Sequence, residues 1–373
     1  VSTAQAPATA AIRTFAAPRR YLQGAGALDL VGAETVRHGR TPVLYVDAGV
    51  SELISPRVHD SMSTADLRPT LIDVTADTVT RDRISRAHRQ APASTDVVVG
   101  VGGGATIDVA KGVADLFSVP FISVPTIASN DGPTAAIYAM YDKTGTLSEL
   151  GRMADNPASV IVDTALIASA PTKFLIAGIG DALSKRFEAH ACSRGTGLTT
   201  QGTRPLAIGE IVANGCADTI LQCGEAAVSE AALGTPGPAF EAVIEAVVLQ
   251  SGIGYENGGL SIAHCMTRGL QTGRGSSSYL HGFHVGYGLL VQLALEGYDD
   301  DLRARIRAFL VAVGLPIRLG DLGMADPTDA ELTDLAAAAA AAPHTANTWV
   351  VADTDSIRTA IDVVEREGAH ADV

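Results

Sequence analysis

Apolar residues come in short, bounded runs through the first part of the chain and in long helical periods through the rest. TPVLYVDAGV, from Thr41, has the β-branched and aromatic run of a buried strand that ends at a turn. PTLIDVTA is a second short run, and DRISRAHRQA reads as a helix. In STDVVVGVGGGATIDVAKGVADLF, consecutive valines give way to glycines, after which the apolar spacing becomes helical through Ile107, Ala110, Val113, Ala114 and Leu116. Strand, glycine turn and helix in that order are the unit of an α/β fold. VPFISVPTIAS predicts another strand, followed by a loop holding Asn130, Asp131, Gly132 and Pro133, and ASVIVDTALIAS predicts a short strand and turn.

Beyond this point the texture changes. PTKFLIAGIGDALSKRFEAHA, RPLAIGEIVANGCADTILQCGEAAV, GPAFEAVIEAVVLQSGIGYENGG, SYLHGFHVGYGLLVQLALEG and DLRARIRAFLVAVG are long, periodic and poor in alternation, so they predict helices. The alanine run at 336–342 favours helix rather than disorder. The fold class expected is an α/β N-terminal dinucleotide-binding domain over 1–166, with a frayed N-terminal tail, followed by an all-helical C-terminal domain over 167–373 that binds metal and substrate. A cleft between two such domains is the usual place for chemistry.

At 373 residues and 47% hydrophobic, the chain can fill two cores. Its 27 basic and 41 acidic side chains give a net charge of -14, which repels nucleic acid and anionic membrane surfaces. Arg19 and Arg20 read as a solvated pair rather than a basic patch. Cys192, Cys216, Cys223 and Cys265 lack C-x-x-C spacing and secreted-scaffold density, so they read as buried thiols of a reducing, cytoplasmic setting. No apolar run approaches the roughly 20 residues that span a bilayer. The first twenty residues carry arginines without acids, but they lack the continuous apolar core of a signal peptide.

Gly102, Gly103 and Gly104 sit where a strand passes into a helix. Glycines there let a pyrophosphate approach the backbone, and the helix start offers unpaired N–H groups and a positive dipole end. A tight turn explains them as well, and the spacing is not G-x-G-x-x-G. Asp47 ends the first predicted strand, where a carboxylate accepts ribose hydroxyls and repels a 2′-phosphate, selecting NAD over NADP; a turn-capping role is the alternative. Asp108 and Lys111 share a helix face, with Lys111 a candidate for the pyrophosphate and a surface ion pair the plainer reading. Thr126 and Ser129 follow the next strand and can touch nicotinamide or phosphate, or simply cap the loop.

Asp181, His264 and His281 each lie in or at the start of a helical segment beside glycines, the histidines following at intervals of 83 and 17 residues. One carboxylate and two imidazoles suit a catalytic zinc with an open position, although spacing alone favours independent polar helix residues. His284, three residues after His281, can be a ligand, a proton relay or a packing histidine. Asp131 can bind a substrate hydroxyl or shape its loop.

Taken together, YLQGAGAL from Tyr21 to Leu28, Asp47, GGGATIDVAK, VPTIASNDGPTA, VIVDTALIASAP, AGIGDALSKRFEA, SGIGYENGGLSIAH, HGFHVGYG and GLPIRLGDLG resemble the glycerol dehydrogenase branch of the iron-containing (group III) alcohol dehydrogenases. The resemblance covers nearly the whole chain in order. It implies an NAD-dependent enzyme with one divalent metal, zinc, on Asp181, His264 and His281, with Asp131 in the substrate pocket, a small alcohol or ketone as substrate, and a homo-oligomeric assembly. The iron branch looks like it carries a further histidine one helical turn after the aspartate; here that position is Lys185, which favours the three-ligand zinc site. Ser129 to Pro133 read SNDGP where glycerol dehydrogenases look like STDAP, and His281 to Val285 read HGFHV where they look like HGEKV. These departures leave open a glycerol-1-phosphate, cyclitol or aminocyclitol dehydrogenase. A cyclase resembling dehydroquinate synthase and a non-catalytic nucleotide-binding protein are the remaining alternatives. The expected reaction oxidises a secondary hydroxyl to a ketone, with His284 a candidate to pass the proton onward.

Overall fold

The structure is a computed structural model and describes residues 12–143 and 145–369. The expected N-terminal tail therefore lies partly, at 1–11, outside the described residues. Among the described residues eight strands form: β1 (Tyr21–Gly24), β2 (Pro42–Asp47), β3 (Thr70–Val74), β4 (Val97–Gly102), β5 (Phe121–Pro125), β6 (Ile137–Tyr141), β7 (Leu147–Arg152) and β8 (Ser159–Asp163). Six of them make one parallel sheet in the order β1-β8-β5-β4-β2-β3. β6 and β7 pair apart from it as an antiparallel ribbon.

Alternation explains why the central strands read as unbroken apolar runs. Leu44 and Val46 of β2, with Val97, Val99 and Val101 of β4, pack on one sheet face against Ile54, Val58 and Met62. Val43, Tyr45 and Val98 face the other way, against Ile84, Ile107, Val113 and Tyr138. With both faces covered, every second residue cannot be polar, as parallel sheets require. Each such side chain, fully removed from water, contributes about 1.5–3 kcal/mol.

The helices of this part are α1 (Val31–Thr35), α2 (Ser51–Thr64), α3 (Arg81–Gln90), α4 (Gly104–Phe117) and α5 (Thr164–Ala168). There follow α6 (Lys173–Arg194), α7 (Ala207–Ala232), α8 (Pro238–Glu245), α9 (Ser251–Gly258), α10 (Ile262–Leu270), α11 (His281–Leu295), α12 (Asp300–Ala312), α13 (Asp329–Ala340) and α14 (Thr354–Ala369). A π-helical turn, Ala246–Gln250, joins α8 to α9. Mixed strand and helix followed by helices is the expected fold class. Among the described residues no helix is long and apolar enough to cross a membrane.

The chain divides into two compact units, but not at one cut near residue 166. The sheet-bearing unit takes 17–179 and also 223–252; the helical unit takes 180–222, 253–369 and, at the start, 12–16. Hydrogen bonds account for both exchanges. Gln23 and Thr164 donate to the Glu241 carboxylate, and Thr134 donates to the carbonyl of Val248. In the helical unit the Asn257 side-chain amide bonds both the N–H and the carbonyl of Ala16, at 2.8 and 2.7 Å.

Candidate functional site

In the sheet-bearing unit the chain runs outward from β2 to β3 and then returns past β2 to β4, so the strand order reverses between β2 and β4. The carboxyl ends of strands flanking such a reversal are where open α/β sheets bind ligands. Asp47 ends β2, and Gly102 to Gly104 pass from β4 into α4. The two features adjoin: a Cβ on Gly102 would lie 2.8 Å from that of Asp47 and 2.7 Å from that of Thr106, so only glycine fits. At Gly104, by contrast, a Cβ would meet only the Asn130 amide at 3.7 Å, which leaves open backbone at the first residue of α4. Thr106 Oγ1, buried in that first turn, has no partner. Asp47 Oδ1 accepts the N–H of Gly49 at 2.9 Å, so the turn-capping role exists, while Oδ2 lies 3.9 Å from where a Gly103 Cβ would be. A glycine cradle, an orphaned hydroxyl and a carboxylate at a strand end suit a dinucleotide.

The neighbouring expectations separate. Lys111, a candidate for direct pyrophosphate contact, is fully buried, and its ammonium donates to the carbonyls of Gly132, at 2.5 Å, and Ile137, at 2.9 Å. Asp108 accepts the N–H of Ala139 at 3.2 Å, and burial raises its pKa to about 6. Both side chains build the segment 132–139, because a buried cation and a half-buried carboxylate each need polar partners. Thr126 is buried and its N–H bonds the carbonyl of Gly102 at 3.1 Å, which ties the loop after β5 to the glycine turn; Ser129 is half-buried on that loop. Asp131 is buried with Oδ2 accepting from Ser251 Oγ at 2.9 Å.

In the helical unit Asp181, His264 and His281 converge, each offering a ligand atom within 4.8 Å of the others. Glycines make this possible. A Cβ on Gly180 would lie 2.4 Å from the carbonyl oxygen of Gly282, and one on Gly288 would lie 2.3 Å from that of Ala263. The backbones of α6, α10 and α11 thus touch within one residue of each ligand. His264 Nε2 is 3.2 Å and His281 Nε2 is 4.0 Å from Asp181 Oδ1. Ligand atoms around a tetrahedral divalent ion such as zinc stand roughly 3.4 Å apart, so these separations are close to what such an ion needs.

Glu188, two turns after Asp181 on α6 and fully buried, was not foreseen. It accepts from His264 Nδ1 at 2.7 Å, the N–H groups of Ser261 and His264 at 2.8 and 3.1 Å, and Ser184 Oγ at 2.8 Å. Burial opposes its charge, but the His264 ring beside it holds its pKa down to about 2. A carboxylate only accepts, so His264 carries a proton on Nδ1. Burial opposes a charge on the ring, but the Glu188 carboxylate, with Asp181 3.2 Å from Nε2, raises its pKa to about 9, so the metal-free ring is an imidazolium that gives up its Nε2 proton to bind an ion. Its place in the sequence, in register with Asp181 and Ser184 along α6, was the available signal. Lys185 is 1% exposed, and its Nζ lies 2.7 Å from Asp181 Oδ1 and 3.2 Å from His264 Nε2. Burial penalises the Asp181 charge, yet that ammonium and the two imidazoles hold its pKa far below the usual carboxylate range. His281, with its ring desolvated and facing Lys185 and His264, is pushed down to about 3 and stays neutral. Its lone pair is therefore available to an ion. His284 is buried in α11; its Nε2–H donates to the Ser276 carbonyl at 2.9 Å, its Nδ1 has no partner, and burial lowers its pKa.

A family model described as iron-containing alcohol dehydrogenase matches residues 24–171. A glycerol dehydrogenase of Thermotoga maritima is 33% identical over 326 residues, covering 87% of this chain and 89% of its own. The chain belongs to the glycerol dehydrogenase branch of the iron-containing alcohol dehydrogenase family. As a member of that family it is an oxidoreductase. A glycolaldehyde reductase of Halobacterium salinarum is 34% identical, covering 87% of this chain and 89% of that one. The crystal structure of a probable glycerol dehydrogenase from Sinorhizobium meliloti 1021 is 33% identical with a TM-score of 0.90, over 96% of this chain and 99% of that one.

Proposed function

We propose that the chain catalyses the reversible NAD-dependent oxidation of a secondary hydroxyl in a small polyol or vicinal diol to the ketone, assisted by one zinc ion. The observation that carries this reading is the convergence of Asp181, His264 and His281, with Glu188 holding His264 at Nδ1 so that Nε2 faces Asp181. When bound, the ion supplies positive charge that lowers the cost of deprotonating an alcohol, and NAD supplies the hydride acceptor. Asp47 holds the ribose hydroxyls, and Gly102 to Gly104, with Thr126 and Ser129, line the pyrophosphate and nicotinamide path. Lys111 and Asp108 act on the cofactor through the loop they anchor. Asp131, oriented by Ser251, takes a neighbouring substrate hydroxyl, which favours a diol over a plain alcohol. His284, neutral and with Nε2–H already bonded to Ser276, has Nδ1 left to accept a proton. The reading includes a homo-oligomer working in the cytoplasm on small molecules.

A second substrate reading, reduction of a small hydroxyaldehyde, draws on the glycolaldehyde reductase relative. Initial rates of NADH formation with glycerol, 1,2-propanediol, 2,3-butanediol, inositols and glycerol-1-phosphate, and of NADH consumption with glycolaldehyde, separate the two readings. NADP and EDTA serve as controls. Chelator-sensitive turnover of a diol that is lost in Asp181→Asn, His264→Ala and His281→Ala supports the proposal. Full turnover by those variants, or silence on every substrate, overturns it.

A further inference from the structure

An ion held by Asp181 and His264 must reach both the Asp181 carboxylate and His264 Nε2, which lie 3.2 Å apart. A cation already stands there. In this structure the cation is Lys185: its ammonium touches both, from the next turn of the same helix and with 1% exposure. An aspartate four residues before a lysine is the favourable helical order for an ion pair. The contact is therefore built into α6 rather than made by a wandering surface side chain.

We infer that Lys185 is an internal competitor for the metal, holding Asp181 and His264 together in the metal-free protein and leaving them when an ion enters. The inference rests on the metal reading above. Its core is exclusivity: an ammonium 2.7 Å from Asp181 Oδ1 and 3.2 Å from His264 Nε2 fills the space from which an ion would reach both, so either the ammonium or the ion is there, never both. Charge reinforces it. Asp181 and Glu188 carry two negative charges, and Lys185 already cancels one of them, so a dication meets less net attraction and a like charge a few Å away. The Tyr255 ring, whose centroid is 5.8 Å from Lys185 Nζ, gives the displaced ammonium a π face on which to rest. The consequence is a metal that exchanges readily, held by a ligand set that stays assembled without it.

The test is the affinity of the full-length protein for zinc, measured by competition with a chromogenic chelator, and its Co(II) absorption spectrum. The proteins compared are wild type, Lys185→Met and His281→Ala. Methionine keeps the length of the side chain and removes the charge. Lys185→Met is expected to bind zinc at least about tenfold more tightly than wild type, because the repulsion between like charges in a desolvated site is gone. It should also retain its metal through dialysis against EDTA that strips the wild type. Equal or weaker binding by a folded Lys185→Met overturns the inference and leaves the metal reading intact, whereas no binding by either protein overturns both. Crystals of the wild type grown with EDTA and with zinc give a second reading that needs no variant. The separation of 3.2 Å between Lys185 Nζ and His264 Nε2 must open when the ion is bound. An ion on His264 with that contact still closed overturns the inference.

Discussion

Replacing Glu188 by glutamine exchanges one acceptor for a donor at the centre of the metal cluster while leaving the shape of the side chain unchanged. Oε1 receives two backbone N–H groups, from Ser261 and His264. The glutamine oxygen must take that place, since an amide there would face two donors. Its NH2 group then points at Ser184 Oγ and His264 Nδ1, where Oε2 had been. The serine hydroxyl can turn to accept. The imidazole can accept at Nδ1 only by giving up the proton there and keeping the one on Nε2, which faces Asp181 Oδ1 at 3.2 Å. A protonated Nε2 is no ligand. Loss of such a supporting partner lowers metal affinity by about 10–100-fold, equivalent to about 1.4–2.8 kcal/mol. Folding stability falls by about 1.5–3 kcal/mol for the lost charge-assisted hydrogen bond. Nitrogen NMR of the histidine rings reports the tautomer, and chelator competition reports the affinity. A Glu188→Gln protein that keeps its proton on Nδ1 and binds zinc like wild type would refute the reasoning.

Three further outcomes are expected. Asp47→Ala should weaken NAD binding by roughly 10–100-fold, the loss of one or two charge-assisted hydrogen bonds, and narrow the preference over NADP; fluorescence titration with both reduced cofactors checks this, and an unchanged ratio removes Asp47 from the ribose site. Gly180→Ala should cost about 1–3 kcal/mol by overpacking and also lower metal content, because its Cβ would lie 2.4 Å from the carbonyl oxygen of Gly282 and part Asp181 from His281; denaturant unfolding and metal analysis measure the two effects, and wild-type values for both contradict the close approach. Burial raises Glu296 to about 7, against the bonds it accepts from Thr348 and Gln292. Its native pKa exceeds its unfolded one, so the native state holds the extra proton and this group's contribution to stability is lost as pH rises from about 4.5 to about 7. Glu296→Gln should remove that part of the pH dependence, and parallel unfolding curves at pH 5 and pH 7.5 for both proteins would show whether it does.

Local pattern was enough for much of this molecule. Strands buried on both faces must be apolar at every position, which is why Val97 to Val99 and Phe121 to Val124 stand out; and β4 passing through Gly102 into α4 announces itself because a turn next to Asp47 and Thr106 admits no Cβ. The amphipathic helix α2 went unread, because its polar face outweighs Ile54, Val58 and Met62 at intervals of four and makes it look like a polar stretch. The hairpin of β6 and β7 went unread because its half-exposed strands carry only weak alternation.

Asp181, His264 and His281 were nameable through resemblance of whole motifs, since no spacing rule joins residues 83 and 17 positions apart. What only the tertiary structure decided is the company each residue keeps. Lys111 stands one turn from a glycine loop in the sequence, yet its buried ammonium is committed to the carbonyls of Gly132 and Ile137. Lys185 and Glu188 are two charged residues on a helix until α10 is brought against α6; then Glu188 meets His264 Nδ1 and Lys185 stands between Asp181 and His264 Nε2. Residues 223–252 belong with the sheet for the same reason, as Glu241 finds its donors there. Periodicity reports which side of an element is buried; which buried groups meet depends on how separate elements pack, and that is where the chemistry of this site is set.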